Sequence, residues 1–148
     1  MKKNKILYVD MDGVLANFES GINKLTQNEI KKYENQLDNV PGIFSLMEPM
    51  KDAIEIFNKL FEKYDVYILS TAPWENPSSL SDKLIWVKKY FGEKIKKRLI
   101  FSHRKDLNIG DIIIDDRFKN GVSEFKGEHI HFGSKKFPDW KSIENYLL

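Results

Sequence analysis

Two carboxylates near the start of the chain have the spacing of a reactive pair. Asp10 and Asp12 follow the apolar run of residues 6–9, and Gly13 comes directly after them. Residues i and i+2 of a strand point to the same side, so we expect both acids on the loop where this strand ends. Because two acids held together repel each other, a bound divalent cation or a shared proton is expected to offset that repulsion.

More polar side chains follow later apolar runs. If those runs are parallel strands, their carboxyl ends meet at one edge of the sheet and collect the polar groups there. Carboxylates, a hydroxyl and an ammonium group are the functional groups of a site for magnesium-assisted phosphoryl transfer. Hard oxygen ligands suit Mg²⁺, and positive charge stabilises the transferring phosphoryl group. The residues concerned are Thr71 after 66–69, Lys105 after 99–101, and Asp115 with Asp116 after 112–114.

Such a set can support enzymatic turnover. One aspartate can attack phosphorus to form an aspartyl-phosphate, and a second can protonate the leaving alkoxide and then activate water. A non-enzymatic receiver-like phosphoacceptor module also uses acids, threonine and lysine at strand ends, but its adjacent acidic pair comes first. Here Asp10 and Asp12 come first and the adjacent pair comes last. We therefore predict an enzyme, with the receiver-like module and a degenerate fold kept for protein binding as alternatives.

The elements between these residues predict an α/β fold. Short apolar runs rich in β-branched and aromatic residues are typical of buried parallel strands, and the stretches between them have helical spacing. In the helix over 81–91, the spacing predicts one buried face with Leu84, Ile85, Val87 and Phe91. Alternation of strands and helices favours a sandwich with a mainly parallel sheet. The strands are expected at 6–9, 66–69, 99–101, 112–114 and 129–132, and the other helices at 50–64 and 140–148, with Asp139 as an N-cap.

One segment interrupts this alternation. Residues 17–48 contain two helix-like pieces, 18–25 and 28–37, followed by a turn over 38–42. We interpret the segment as a small helical cap inserted after the first strand, within a single domain over 1–148. The alternative is an ordinary crossover helix with a long loop.

Composition limits the class of protein. The 148 residues, 41% hydrophobic and 31% charged, suit one globular domain. A net charge of +2 is far from the basic balance of a dedicated nucleic-acid binder, so no stable nucleic-acid complex is expected. The lack of cysteine excludes disulfides, zinc–thiolate sites and thiol catalysis. No stretch resembles a signal peptide or a membrane span, so we expect a cytoplasmic protein with no membrane partner.

Four motifs in order resemble those of the haloacid dehalogenase (HAD) superfamily. Residues 10–15, DMDGVL, resemble its first motif, and Thr71, Lys105 and the pair Asp115-Asp116 resemble the second, third and fourth. The resemblance implies a Rossmann-like three-layer sandwich, the HAD-like core. Within the superfamily, residues 10–19, 86–92 and 104–117 are similar to the 5'(3')-deoxyribonucleotidases, which implies hydrolysis of (deoxy)nucleoside monophosphates.

The resemblance also implies roles for the acids. Asp10 is expected to be the nucleophile and Asp12 the general acid/base. Mg²⁺ is expected to be held by Asp10, the main-chain carbonyl of Asp12, and the pair Asp115 and Asp116, with Asp116 as the preferred side chain.

Four further residues are expected to contact the substrate. The resemblance implies that Thr71 and Lys105 hold the phosphate, that Lys83 lies close to it, and that Phe18 lines the pocket for the base. Ala72 departs from the family, which usually has serine after the threonine. The cap is also shorter than the family's, so a sugar phosphate, a small metabolite or a nucleic-acid terminal phosphate remains an alternative substrate.

Two histidines could suggest a metal site of another kind. His129 and His131 flank Ile130 on an expected strand and so share a face. Because the sequence offers no third ligand near them, we interpret both as structural.

Overall fold

The computed structural model describes residues 4–148, and a five-stranded parallel sheet forms its centre. The expected α/β fold is confirmed. In chain order the elements are β1 (Ile6–Val9), β2 (Ala16–Asn17), α1 (Phe18–Ile22), α2 (Gln27–Lys32), α3 (Ile43–Leu46), β3 (Glu48–Pro49), α4 (Ala53–Lys63), β4 (Asp65–Ser70), α5 (Ser78–Phe91), β5 (Leu99–Phe101), β6 (Ile112–Asp115), β7 (Glu128–His131) and α6 (Trp140–Leu147).

The sheet brings the ends of its strands to one edge. The strand order is β5-β4-β1-β6-β7, so β1 lies between β4 and β6. Val9 is opposite Ile68 in β4 and Ile114 in β6. The residues that follow these three positions therefore emerge side by side, which is where an open parallel sheet binds its ligands.

The two faces of the sheet are covered differently. Helices α4, α5 and α6 share one hydrophobic core with Leu7, Val9 and Ile68. On the other face, Tyr8 and Ile113 pack with residues of the loop after β6, which contains a short 3₁₀ turn at Val122–Glu124. A second 3₁₀ turn, Lys105–Leu107, contacts the first. This face is thus covered by loops with short turns.

Helix α5 buries only part of the face that apolar spacing predicts, because Val87 and Phe91 are buried as expected but two other residues are not. Leu84 and Ile85, expected in the core, are 42% and 62% exposed, whereas Lys83 is fully buried. That part of the prediction is wrong because the position of α5 directs Lys83 towards the ends of β1 and β4, where its ammonium group is hydrogen-bonded. A buried charge is tolerated when it is paired in this way.

The segment expected to form the cap leaves and re-enters the domain through a two-stranded ribbon. Strand β2 pairs antiparallel with β3, and helices α1, α2 and α3 lie between them. Helix α2 begins at a capping box formed by Thr26 and Glu29. Helix α3 begins directly after the expected turn and buries Ile43 and Phe44. The limits of the cap, 17–48, stay a prediction.

Hydrogen bonds fasten this segment to α5 and the loop before it. The Asn76 side chain is buried and donates to the carbonyl oxygens of Asp38 and Val40, at 2.9 and 3.0 Å. The Trp86 indole donates to the carbonyl oxygen of Met47 at 2.8 Å. These bonds use side chains to satisfy backbone carbonyls of an irregular segment, and so fix its position over the sheet.

The last helix has the predicted cap. Asp139 accepts a hydrogen bond from the Ser142 backbone N–H at 2.9 Å, which satisfies an otherwise free donor at the start of α6. Within residues 4–148, none of the helices has the length and apolar content needed to cross a membrane.

Candidate active site

The loop after β1 holds the first acidic pair. The Asp10 N–H donates to the carbonyl oxygen of Ile114 at 2.9 Å, so the backbone stays attached to β6 one residue beyond the strand. Met11 then closes a tight loop, because its carbonyl oxygen accepts from the backbone N–H groups of Leu15 and Ala16, both at 2.8 Å. The loop therefore presents Asp10 and Asp12 at a fixed place on the sheet edge.

Gly13 permits a close approach in this loop. Its φ is +78°, a conformation that L side chains rarely adopt, and a Cβ on it would collide with the carboxylate of Asp116. The glycine of the first motif thus allows the loop after β1 to contact the loop after β6.

Three carboxylates converge at this contact. Asp10, Asp115 and Asp116 each offer an oxygen atom, and these atoms all lie within 4.8 Å of one another. Burial raises the pKa of Asp116 to about 7, with the charge of Asp10 adding to the effect. Burial also raises the pKa of Asp10. Both shifts arise mainly because burial penalises the charged form of each carboxylate.

The hydrogen bonds distinguish the two acids of the pair. Asp115 Oδ1 accepts from the Arg117 N–H at 2.9 Å, and its Oδ2 accepts from Lys105 at 2.6 Å. Asp116 Oδ1, in contrast, is buried without a hydrogen-bond partner among the described residues. A buried, unpaired oxygen beside two other carboxylates fits a hard cation such as Mg²⁺, and it favours Asp116 over Asp115 as a direct ligand.

Lys105 is placed against the cluster. It is 3% exposed, and its Nζ donates to Asp10 Oδ1 at 3.0 Å as well as to Asp115. Burial acts to lower the pKa of Lys105, but the charges of Asp10 and Asp115 outweigh it and raise that pKa above its usual value. The ammonium group therefore stays charged beside Asp10, where it can neutralise an anion.

Thr71 and Lys83 occupy different surroundings. Thr71 lines the cavity described below, and its Oγ1 donates to the carbonyl oxygen of Ser102 at 2.8 Å. Lys83 is 0% exposed, and its Nζ donates to Asp12 Oδ2, Ser70 Oγ and the Thr71 carbonyl oxygen at 2.7, 2.9 and 2.8 Å. Burial raises the pKa of Asp12, although the charge of Lys83 acts to lower it.

A cavity of about 540 Å³ lies between the sheet edge and the cap. It brings together most of the predicted site residues, whereas Lys83 lies behind Asp12 and is not among the residues that line it. The sequence analysis did not predict several lining residues from the cap and from the loop after β6. The only signal for them in the sequence is that they follow Phe18 or the acidic pair along the chain. The predicted residues that line it are Asp10, Asp12, Phe18, Thr71, Lys105, Asp115 and Asp116, and the others are Gly13, Asn35, Leu37, Asp38, Phe44, Pro73, Arg117, Lys119 and Asn120.

The two histidines lie behind the acidic pair. His129 Nε2 is 3.0 Å from the carbonyl oxygen of Asp115, and His131 Nε2 is 3.1 Å from that of Asp116. Both rings pack against Phe118 at centroid distances of 5.3 and 4.6 Å. These contacts support the backbone of the loop, which agrees with the structural interpretation.

Comparison with known proteins identifies relatives over most of the chain. Residues 19–143 match the model of the family "5' nucleotidase, deoxy (Pyrimidine), cytosolic type C protein", a range that begins after Asp10 and Asp12 and contains Thr71, Lys105 and the acidic pair. A "Putative 5'(3')-deoxyribonucleotidase" of Vibrio phage KVP40 is 56% identical over 142 residues, covering 96% of this chain and 84% of the relative. A protein of the same name from Staphylococcus epidermidis is 28% identical over 169 residues, covering 94% and 93%.

A solved structure shares the fold. The structure of YfnB from Bacillus subtilis, described as a "putative HAD-hydrolase" bound to magnesium, superimposes with a TM-score of 0.65 at 11% identity and covers 99% of both chains. At this level of identity the likeness concerns the fold alone, and it agrees with the HAD-like core expected from the sequence.

Proposed function

This chain belongs to the family of 5' nucleotidase, deoxy (pyrimidine), cytosolic type C proteins, a group of HAD-type phosphatases, and we propose that it removes the phosphate of deoxyribonucleoside monophosphates through an aspartyl-phosphate on Asp10. The observation that carries the proposal is the buried Asp10 carboxylate. It lies at the end of the central strand, within 3.0 Å of the Lys105 ammonium group and beside the Asp115-Asp116 pair, at the floor of a cavity.

In the first step, we propose that Asp10 attacks phosphorus. A bond forms between an Asp10 carboxylate oxygen and phosphorus, and the bond from phosphorus to the nucleoside oxygen breaks. Asp12 gives its proton to that oxygen, so the nucleoside leaves as a neutral alcohol. The burial that raises the pKa of Asp12 supports this role, because a carboxyl must hold a proton before it can donate one.

In the second step, Asp12 acts as the base. It takes a proton from a water molecule, whose oxygen attacks phosphorus while the bond between phosphorus and Asp10 breaks. Inorganic phosphate is released and the Asp10 carboxylate is restored. Lys105 holds the phosphate oxygens in both steps, and its charge stabilises the transition states. The Thr71 hydroxyl turns from the Ser102 carbonyl oxygen to donate to a phosphate oxygen when the substrate binds.

Asp10, Asp116 and the main-chain carbonyl of Asp12 would hold Mg²⁺, with Asp115 positioned by Lys105 and Arg117 beside them. When bound, the ion supplies positive charge that polarises the phosphoryl group and offsets the repulsion between the carboxylates. The unpaired Asp116 Oδ1 is the support for this assignment.

The substrate that we propose is small. The cavity has a volume of about 540 Å³, and the cap supplies Phe18 and Phe44, whose ring centroids are 6.1 Å apart, as an apolar wall. Such a wall suits a nucleobase, while the sheet edge suits the phosphate. We propose that the protein meets this substrate in the cytoplasm.

Phosphate release is the direct test. The assay compares the rate of phosphate release, with Mg²⁺ and with EDTA, from three groups of substrates. These are the 5'- and 3'-monophosphates of deoxy- and ribonucleosides, sugar phosphates, and a 3'-phosphorylated oligonucleotide. We expect turnover only with Mg²⁺ and strongest on deoxynucleotides, and no turnover in Asp10→Asn with folding preserved. Activity that persists in Asp10→Asn would exclude the mechanism, and preference for another ester would exclude the nucleotide assignment while keeping the chemistry.

A further inference from the structure

Lys83 is the most deeply buried cation beside the site. It lies on α5 with 0% exposure, and the ring of Phe44 is 4.5 Å from its ammonium group. A lysine ammonium group has three N–H donors. All three have protein acceptors, namely Asp12 Oδ2, Ser70 Oγ and the Thr71 carbonyl oxygen.

We propose that Lys83 is a positioning residue that orients the general acid/base Asp12, and that it does not bind the phosphate. The inference rests on the proposed function, since it assumes that Asp12 transfers protons. It differs from the role that similarity to the nucleotidases implies for Lys83, which is contact with the phosphate.

The contacts of Asp12 support this assignment. Among the described residues, the bond to Lys83 is the one hydrogen bond that the Asp12 carboxylate makes, and its Oδ1 is buried without a partner. The Asp12 side chain keeps 27% exposure and lines the cavity, whereas the Lys83 side chain approaches it from the buried side. Without Lys83, little else would keep this carboxylate in one orientation.

The other partners of Lys83 make its position rigid. Ser70 is fully buried at the end of β4, and the Thr71 carbonyl belongs to the same strand end. These two acceptors hold the ammonium group at a fixed place relative to the sheet, so Asp12 is aligned with the strand that carries Thr71. A catalytic carboxyl held in this way loses less freedom when the reaction begins.

The two roles for Lys83 predict different dependence on the leaving group. A nucleoside oxygen needs a proton from Asp12 when it leaves, whereas p-nitrophenolate is stable enough to leave without one. A residue that orients Asp12 therefore matters for phosphorylation by nucleotides and not for phosphorylation by p-nitrophenyl phosphate. A residue that binds phosphate matters for both.

The experiment uses Lys83→Met, which keeps the length and the packing of the side chain on Phe44. Single-turnover reactions with Mg²⁺ and enzyme in excess measure release of nucleoside from a deoxynucleotide and of p-nitrophenol from p-nitrophenyl phosphate. We expect nucleoside release to fall by about 10- to 100-fold, part of the ~10²–10⁴-fold that general acid–base catalysis contributes. Release of p-nitrophenol and inhibition by inorganic phosphate should stay unchanged, while phosphorylated enzyme accumulates because Asp12 activates water poorly.

Two further variants complete the test. Ser70→Ala removes a hydrogen-bond partner of Lys83 that does not line the cavity. We expect nucleoside release to fall by less than in Lys83→Met, with p-nitrophenol release again unchanged. Lys88→Met, an exposed lysine on the same helix, should match the wild type. Loss of p-nitrophenol release, a raised KM for the nucleotide or weaker phosphate inhibition in folded Lys83→Met would assign Lys83 to the phosphate and overturn the inference. Failure of the wild type to turn over any ester would instead overturn the proposed function.

Discussion

Asp116→Asn should stabilise the metal-free protein at neutral pH. Burial and the charge of Asp10 raise the pKa of Asp116 from 3.8 to about 7. Because the folded protein binds this proton more tightly than the unfolded chain does, the stabilising contribution is fully present below pH 3.8 and is lost as the pH rises through about 7. Above that range, ionised Asp116 destabilises the fold, and an amide of the same shape removes the destabilisation.

The size of the effect follows from that pKa. A rise from 3.8 to about 7 corresponds to about 4 kcal/mol of unfolding free energy at ~1.36 kcal/mol per pH unit. Asp116 is partly exposed and shares its charge with Asp10, so solvent screening reduces the expected difference to about 2 kcal/mol.

Urea unfolding in EDTA measures this difference. Wild type and Asp116→Asn are compared at about pH 4.5 and about pH 8, with Glu34→Gln, an exposed carboxylate of the cap, as the matched control. We expect the variant to be more stable than the wild type by about 2 kcal/mol at the higher pH and by only about 0.5 kcal/mol at the lower one, which is still above the pKa of the unfolded chain. Added Mg²⁺ should stabilise the wild type at the higher pH and the variant much less. Equal stability at both pH values, or a variant less stable at the higher pH, would refute the reasoning.

Three further substitutions test other parts of the site. Gly13→Ala forces a Cβ into the carboxylate of Asp116 at φ +78°, so unfolding free energy should fall by about 1–3 kcal/mol and Mg²⁺ affinity should fall with it, measured by urea unfolding and metal titration. Lys105→Met leaves the buried Asp10 carboxylate without its cation. We expect thermal unfolding in EDTA to show that the unfolding free energy falls by about 3–5 kcal/mol. Unchanged stability would contradict the ion pair between Lys105 and Asp10. Asn76→Ala removes the side-chain donor to two carbonyl oxygens of the cap. We expect KM to rise while kcat is unchanged, and the unfolding free energy in urea to fall by about 1–3 kcal/mol. An unchanged KM would show that the cap does not contribute to substrate binding.

Local sequence patterns were sufficient for much of the fold and for the position of the acids. Short apolar runs predicted the five strands; the three central ones, β4, β1 and β6, are mostly buried within the sheet, and the two edge strands are partly exposed. The i, i+2 spacing of Asp10 and Asp12, and the pairing of Asp139 with Ser142, depend on neighbours along the chain. Such features can be read from sequence because their physical causes lie within a few residues.

The partners of the two buried lysines could not be predicted in the same way. Helical spacing ranked Leu84 and Ile85 as core residues, yet the position of α5 against the sheet buries Lys83 and leaves both of them exposed. Lys105 lies 95 residues from Asp10 along the chain, on the turn between β5 and β6, and the hydrogen bond from its N–H to the Asn120 carbonyl oxygen attaches that turn to the loop after β6, beside Asp10. Sequence similarity located these lysines near a phosphate site without indicating which carboxylate each of them contacts.

The sequence by itself determined which functional groups this protein has at the strand ends of its α/β domain, namely the acids, the hydroxyl and the lysines. Only the tertiary structure decided their pairing: Lys105 with Asp10 and Asp115, Lys83 with Asp12, and Asp116 left with an unpaired oxygen. The physical reason is that hydrogen bonds, burial and pKa depend on distances of a few ångströms between atoms from distant parts of the chain. Those distances are set by strand order and helix packing, which local patterns restrict but do not specify.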